Sequence, residues 1–285
     1  MALRTIERGL HAAYSAAASL TMALPPQRDT CPSTAARITD VRRLSPAFTR
    51  VTLAAETFRT LELTGPDEYF GLFMPPPGAP VTLPEEDESN PRAAVATMPD
   101  DVRPELRWYT IRELRRRDGE IDVDVVSVGH DGPGARWVRS VAAGDEVGVR
   151  VQSALYSAAP TQGHHLLVAD ETGLPGMLAV LDANAALAPS ARPRLTCVLE
   201  IPDDAYLHAE VLVADIQVVR RGSGTPGSAL RAALPELDLD PVDYAWVCAE
   251  GGTVAAVKRH LTRERGLSRR AITASGFWSL GRPRP

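Results

Sequence analysis

In the stretch "RWYT", Arg107, Trp108, Tyr109 and Thr110 place a guanidinium, two aromatic rings and a hydroxyl at four consecutive positions. On an extended strand side chains alternate, so Arg107 and Tyr109 project to one face and Trp108 and Thr110 to the other. A guanidinium beside an aromatic ring suits a flat anionic ligand: the fork holds a phosphate while the ring stacks on a heterocycle. An edge strand with a surface arginine and a half-buried tyrosine would have the same spacing.

A second stretch, "SVGHDGPGARWV", turns from a strand-like run into a glycine-rich loop. Gly132, Pro133 and Gly134 precede Ala135, Arg136 and Trp137, and the pattern predicts a short helix begun after the glycines. Exposed amides at a helix start, with no bulky side chain in the way, form an anion site; a hairpin turn uses the same residues. Two further loops stand at the ends of apolar runs. "LLVADETGLPG" carries Asp170, Glu171, Thr172 and Gly173 before a proline suited to a first helical turn. "VCAEGG" carries Ala249 and Glu250, either converging on the same crevice or making an ordinary strand-to-helix turn. Neither loop is GxGxxG, and no G-x-S-x-G, HExxH or P-loop occurs anywhere. His164 and His165 are adjacent, point opposite ways on a strand, and read as a polar strand entrance. Glu85 to Glu88 reads as a solvated acidic loop.

The elements that must hold these residues change character along the chain. From Arg37, short apolar runs such as "RITDV", "RWYTIREL", "EIDVDVVSV" and "DEVGVRVQ" are separated by turn signals, which predicts an antiparallel β-barrel over about 34–157. Inside it, the proline- and acid-rich stretch from Met74 to Leu106 lacks periodicity and is expected to be a mobile excursion. After Pro160 the rhythm alternates. Strands at "HHLLVAD", "RLTCVLEI" and "YAWVCAE" take turns with helices at "LPGMLAVLDANAALA", "PGSALRAALPEL" and "TVAAVKRHLTRERG". Apolar strands alternating with helices mean a Rossmann-like parallel α/β domain, over about 158–285, with ligands at the carboxyl ends of its strands.

Composition sets the outer bounds. The 285 residues, 44% of them apolar, suffice for two domains. A net charge of −5 argues against a nucleic-acid partner, and no run approaches the roughly 18 apolar residues of a membrane span. Cys31, Cys197 and Cys248 form no CxxC and no metal spacing, so free thiols in a reducing compartment are expected and no metal site. The alanine-rich residues up to Pro25-Pro26 are too polar for a secretory leader and are expected to form a helix, in an extension over 1–33.

Taken in order, "RWYTIR", "GHDGPGARWV", "AAGDEVGV", "DETGLPGMLAVLD", "WVCAEGGTVAAVKRHL" and "GFWSLG" resemble the siderophore-interacting protein family, one of the ferredoxin-reductase-like flavoproteins. The resemblance spans about residues 35–281. It implies a Greek-key barrel binding FAD and an α/β domain presenting NADH or NADPH. By the same resemblance Arg107 would face the flavin phosphates, Tyr109 would stack on the isoalloxazine and Thr110 would bond near its reactive edge, with Trp108 in the same motif. The loop with Gly129 and Gly132 to Trp137 would hold the pyrophosphate through backbone amides. Asp170 and Thr172 would stand near flavin and nicotinamide, with Ala249 and Glu250 opposite and Trp278 as the C-terminal aromatic beside the flavin. Three residues depart from the family pattern. Val128 replaces a histidine, with His130 displaced by two and expected to face solvent. Ala135 offers no hydroxyl, and Ala249 replaces a glycine, so its methyl would crowd a nicotinamide.

The implied activity is that of a cytoplasmic ferric-siderophore reductase, passing electrons from NAD(P)H through FAD to chelated Fe(III) and releasing Fe(II), with no protein acid or base required. An FAD/NAD(P)H oxidoreductase with another acceptor, or a non-catalytic flavin- or siderophore-binding protein, remains open at this level. So do the choice of nicotinamide, the siderophore, the oligomeric state and the role of residues 1–33. Relatives acting on anionic ferric catecholates place basic side chains around the flavin; here Lys258 is the single lysine and arginine is abundant.

Overall fold

The computed structural model describes residue 23 and residues 28–84, 90–129, 131–156, 162–239 and 241–281. The expected N-terminal helix, the acidic run at 85–88 and His130 lie outside the described residues.

The first sheet has seven antiparallel strands: β1 (Ser33–Arg43), β2 (Phe48–Ala54), β3 (Tyr69–Met74), β4 (Glu105–Thr110), β5 (Glu113–Arg115), β6 (Glu120–Val126) and β7 (Glu146–Val151). Their order is β4-β3-β7-β1-β2-β6-β5, a half-barrel. Alternation builds it. On β6, Ile121, Val123 and Val125 enter the core, while Asp122 and Asp124 lie on the opposite face, buried against Thr52 and Arg50 of β2. Arg50 grips Asp124 through two bonds of 2.6 and 2.8 Å, and the Thr52 hydroxyl donates to Asp122 at 2.7 Å. Two short helices interrupt the sheet, α1 (Pro91–Thr97) and α2 (Pro133–Val138).

Helix α1 corrects the reading of the whole 74–106 stretch as a structureless excursion. The Asn90 side chain caps it by accepting from the amides of Arg92 and Ala93, Pro91 opens it, and Val95 packs with Phe73 and Leu106. A seven-residue helix shows too little of the 3.6-residue period to be recognised among prolines.

The second sheet has five parallel strands: β8 (His164–Asp170), β9 (Arg194–Ile201), β10 (Gln217–Arg220), β11 (Tyr244–Glu250) and β12 (Ile272–Trp278), in the order β10-β9-β8-β11-β12. Helices α3 (Leu174–Ala186), α4 (Ala209–Val213), α5 (Ser228–Ala233) and α6 (Gly251–Arg263) connect them. Three of the strands are those expected. The outer β10 and β12 were not: the first has four residues, and the second carries Ala274, Ser275 and Gly276 where an apolar run would be sought. Helix α5 is also shorter than expected, ending at Ala233 before a 3-10 turn at Leu234–Glu236.

Strand β8 is buried at every position and divides two cores. Leu166 and Val168 face Leu230, Val257 and Leu261 of α5 and α6. Leu167 and Ala169 face Leu174, Met177 and Leu178 of α3, in a cluster that continues into Ala47 and Phe48 of the half-barrel. One apolar core therefore joins the two sheets. The Trp246 indole donates to Asp67 at 2.8 Å across the same boundary. N-terminal to β1, the Ala23 amide bonds the Ile272 carbonyl on β12 at 3.0 Å, and Arg28 forms an ion pair with the buried Glu68 at 2.6 Å.

Candidate functional site

Sheet order reverses between β8 and β11, so the crevice outside their carboxyl ends is where an open α/β sheet binds ligands. The other candidate residues are carried by β4 and α2 of the half-barrel. Alternation on β4 directs Leu106 and Trp108 together: they pack around Gly71, and Trp108 meets the Tyr69 ring edge-on at 5.7 Å. Trp108 thus stands on the face away from Arg107 and Tyr109, while Thr110 is buried.

Arg107 and Tyr109 meet α2 at Gly134. A Cβ on Gly134 would collide with the Tyr109 hydroxyl and lie 4.0 Å from Arg107 Cγ, so only glycine lets the ring approach. Burial pushes the Tyr109 phenol well above its ordinary value, against the opposing charge of Arg107. The Arg107 guanidinium donates to the Leu106 carbonyl at 2.6 Å and lies 3.5 Å from the exposed Glu105. Burial, with the charge of Arg107 adding to it, lowers the Arg92 guanidinium on α1. Sequence reading missed Arg92 because its helix was missed.

Gly132 precedes α2 in an extended conformation and Pro133 opens it. The first helical bond runs from the Arg136 amide to the Gly132 carbonyl at 3.0 Å, leaving the amides of Gly134 and Ala135 without a partner inside the helix. Ala135 is buried, Trp137 packs on the half-barrel core, and Arg136 turns back to the Asp131 carbonyl. Gly129 takes φ +84°, with the Tyr206 hydroxyl 2.8 Å from where a Cβ would be. Val128, in place of the family histidine, packs into the core shared by the two sheets.

At the strand ends, Asp170 is 1% exposed and both its oxygens are engaged. Oδ1 accepts from the Thr172 amide at 2.9 Å, the Thr172 hydroxyl at 2.6 Å and the Gly173 amide at 3.3 Å. Oδ2 accepts from the Glu250 amide at 2.8 Å and the Trp278 indole at 2.9 Å. Burial, reinforced by the charge of Glu171, pushes this carboxyl up to about 6 against the pull of the Thr172 and Trp278 donors. Glu250 caps α6 by accepting from the Thr253 amide at 2.8 Å and also takes the Leu280 amide at 3.3 Å. Burial works to raise the Glu250 carboxyl, but the amides of Gly252, Thr253 and Leu280 outweigh it and hold it low. Ala249 points the other way, into the core beneath α6, so its methyl does not crowd the crevice.

The neighbouring strand end carries residues no motif search finds. Glu200 of β9 is wholly buried and accepts from the amides of Gly227, Ala229 and Leu230 at 2.6 to 3.2 Å. Arg221 grips Glu171 through bonds of 2.8 and 2.6 Å and lies 3.7 Å from Glu200. The doublet Arg220-Arg221 directly after an apolar run was the available signal. Elsewhere, Arg112, Arg115 and Arg116 line a flanking cleft of about 870 Å³ together with Arg50, Asp182 and Glu210. Arg112 is held by Asp182 and Glu210 at 2.7 Å each, and Arg115 by Asp122 at 2.7 Å, so these cations are consumed locally. His164 is likewise structural, bonded to Thr196 at 2.7 Å and the Pro241 carbonyl at 3.1 Å. Among the described residues no group of His, Cys, Asp or Glu could hold a metal ion, and no helix is long and apolar enough to cross a membrane.

The arrangement fits a dinucleotide flavin. A cation beside an aromatic ring, a glycine that no larger residue could replace, and first-turn amides lie together where α2 meets β4. A family model for the siderophore-interacting FAD-binding domain matches residues 37–151, and a model for the siderophore-interacting protein matches residues 162–281. The chain belongs to the siderophore-interacting protein family. Residues 1–36 lie outside both models. An NADPH-dependent ferric-chelate reductase of Escherichia coli is 27% identical over 251 residues, 84% of this chain and 89% of that protein. The crystal structure of a siderophore utilization protein from T. fusca superposes with a TM-score of 0.73 at 25% identity, covering 92% of this chain and 98% of the other. A ferredoxin NADP+ reductase from Neisseria gonorrhoeae, solved with FAD and NADP, shares the fold at 11% identity and a TM-score of 0.59, over 86% of this chain and 99% of that one. The family's two-part architecture is thus the one seen here, a half-barrel followed by a parallel sheet.

Proposed function

We infer that the protein is a ferric-siderophore reductase that holds FAD with β4 and α2 and draws electrons from NADPH. The observation that carries this reading is the convergence of Arg107 and Tyr109 on Gly134. FAD, when bound, takes a hydride from a nicotinamide and hands single electrons to ferric iron.

The chain's own residues bind, orient and shield. Arg107 and Arg92 neutralise phosphate, the Gly134 and Ala135 amides add donors, and Tyr109, held against Gly134, offers its ring for stacking. The Thr110 hydroxyl stands at the same strand end. Asp170, Thr172 and Glu250 shape the crevice opposite. No side chain is needed as acid or base when electrons pass to chelated iron, which accords with the absence of a catalytic dyad in the sequence.

NADPH is favoured over NADH by the β9 and β10 ends. A carboxylate at the end of the second strand selects NADH by accepting from the ribose hydroxyl. Glu200 occupies that place but is buried and saturated. Arg221 is held by Glu171, which leaves Arg220, half exposed and paired with the exposed Asp204 at 2.5 Å, as the cation suited to a 2′-phosphate. The E. coli relative's name supports the same choice.

The test is anaerobic. Protein reconstituted with FAD should bleach with NADPH faster than with NADH, and a ferric siderophore should restore the oxidised spectrum while a ferrous trap colours. Failure to retain flavin overturns the reading, and bleaching without iron reduction assigns a different acceptor.

A further inference from the structure

We propose that Asp170 is the positioning residue of this site: it touches neither cofactor nor substrate, and it fixes the Trp278 indole, the aromatic surface that a cofactor in the crevice meets. This rests on the reading that FAD and a nicotinamide meet at the ends of β8 and β11.

The hydrogen-bond inventory excludes direct contact. An ionised carboxylate is an acceptor with about four lone-pair sites. Five donors already surround Asp170, three on Oδ1 and two on Oδ2. Nothing is left for a ribose hydroxyl or a carboxamide. The two oxygens divide the work. Oδ1 closes the residue's own loop through Thr172 and Gly173, and Oδ2 reaches across the sheet to β11 and β12.

The backbone around Trp278 is arranged for that reach. Ala249 pairs with Gly276, but Glu250 pairs with Trp278, so Phe277 is the extra residue of a bulge. A bulge re-aims the side chains that flank it. Phe277 packs against the core shared by the two sheets, and Trp278 turns to Asp170. The chain beyond is tied separately, through the Leu280 amide to Glu250. Gly276 and Gly251 bring β12 and the start of α6 close: a Cβ on Gly276 would lie 3.2 Å from the Gly251 Cα. With the backbone held on both sides, the ring's remaining freedom is its side-chain torsions, and the bond to Asp170 fixes those. Trp278 stays partly exposed, so a ring face remains open to a ligand.

The test begins with the apoprotein, whose four tryptophans give separate indole N–H resonances, the one from Trp278 being identified by its loss in Trp278→Phe. In Asp170→Asn the Trp278 indole should shift and exchange with solvent about tenfold faster, the loss of one charge-assisted hydrogen bond. The Trp246 indole, bonded to Asp67, should not move and reports an intact fold. An unmoved Trp278 indole overturns the proposal. Should Asp170→Asn not fold, Trp278→Phe serves from the other side: loss of a donor should raise the titration midpoint of the Asp170 carboxyl carbon, and an unchanged midpoint overturns the tether. With FAD bound, Trp278→Phe should raise flavin emission several-fold by removing a quenching indole. Asp170→Asn should raise it too, with no further rise when combined with Trp278→Phe. Equal rises in both backgrounds overturn the proposal. Unchanged emission in Trp278→Phe, with the indole shift still seen in Asp170→Asn, keeps the tether and overturns the placement of the cofactor beside it.

Discussion

Trp246 and Asp67 lie 179 positions apart, yet the indole of one donates to the carboxylate of the other at 2.8 Å across the boundary between the two sheets. Asp67 also accepts from the amides of Leu155 and Tyr156 at 3.0 and 2.8 Å, so the half-barrel, the connecting segment and the parallel sheet share one carboxylate. Burial is the force that pushes it up to about 6, and the three donors restrain the rise.

That shift makes stability depend on pH. The folded chain holds the Asp67 proton more tightly than the unfolded chain, where the ordinary value is 3.8. The contribution to stability is therefore full below that value and is lost as pH rises through about 6. Asp67→Asn is neutral throughout. Its melting temperature relative to wild type should rise as pH goes from about 4 to 7, which calorimetry at four pH values would check; a flat difference contradicts it.

Gly134→Ala should weaken FAD binding by about tenfold or more while leaving far-UV circular dichroism unchanged, because the new methyl meets the Tyr109 hydroxyl. Adding Tyr109→Phe removes the colliding oxygen and should recover part of the loss. Flavin titration followed by fluorescence measures both.

Arg220→Ala should raise KM for NADPH by about tenfold with little change for NADH, since only the former carries a 2′-phosphate. Stopped-flow reduction with each nicotinamide separates the two, and equal effects would place the phosphate elsewhere.

Arg50→Met should cost about 3 to 5 kcal/mol in urea unfolding, because it strands the carboxylate of Asp124, whose side chain is 1% exposed. Arg50→Met with Asp124→Leu should recover most of that, as an apolar pair of similar volume replaces a buried ionic one.

The division of faces on β4 was readable in the sequence because strand alternation is a strict geometric rule and "RWYT" spans two full periods of it. The helix start at Pro133 was readable for a similar reason, since glycine and proline constrain backbone locally. The roles of Asp170 and Glu250 were not. A lone acid at a strand end looks the same whether it faces a ligand or gathers donors from its own loop, β11 and β12, and those donors come from residues as distant as Trp278. Ala249 shows the converse: the family's glycine at this position suggested a crowded crevice, but parity along β11 sends its methyl into the core. Asp67, in the turn "TGPDEY", carried no signal at all, because its importance depends on Trp246.

The hydrogen bond that the Ala23 amide donates to the Ile272 carbonyl covers the first residue of β12, the outer strand of the parallel sheet. An uncovered outer strand is a template on which a second chain can add. Ala23 therefore occupies an acceptor on that edge to which a further strand would otherwise donate. Ala23→Pro, which lacks the donor, would uncover that acceptor while keeping every proposed cofactor ligand.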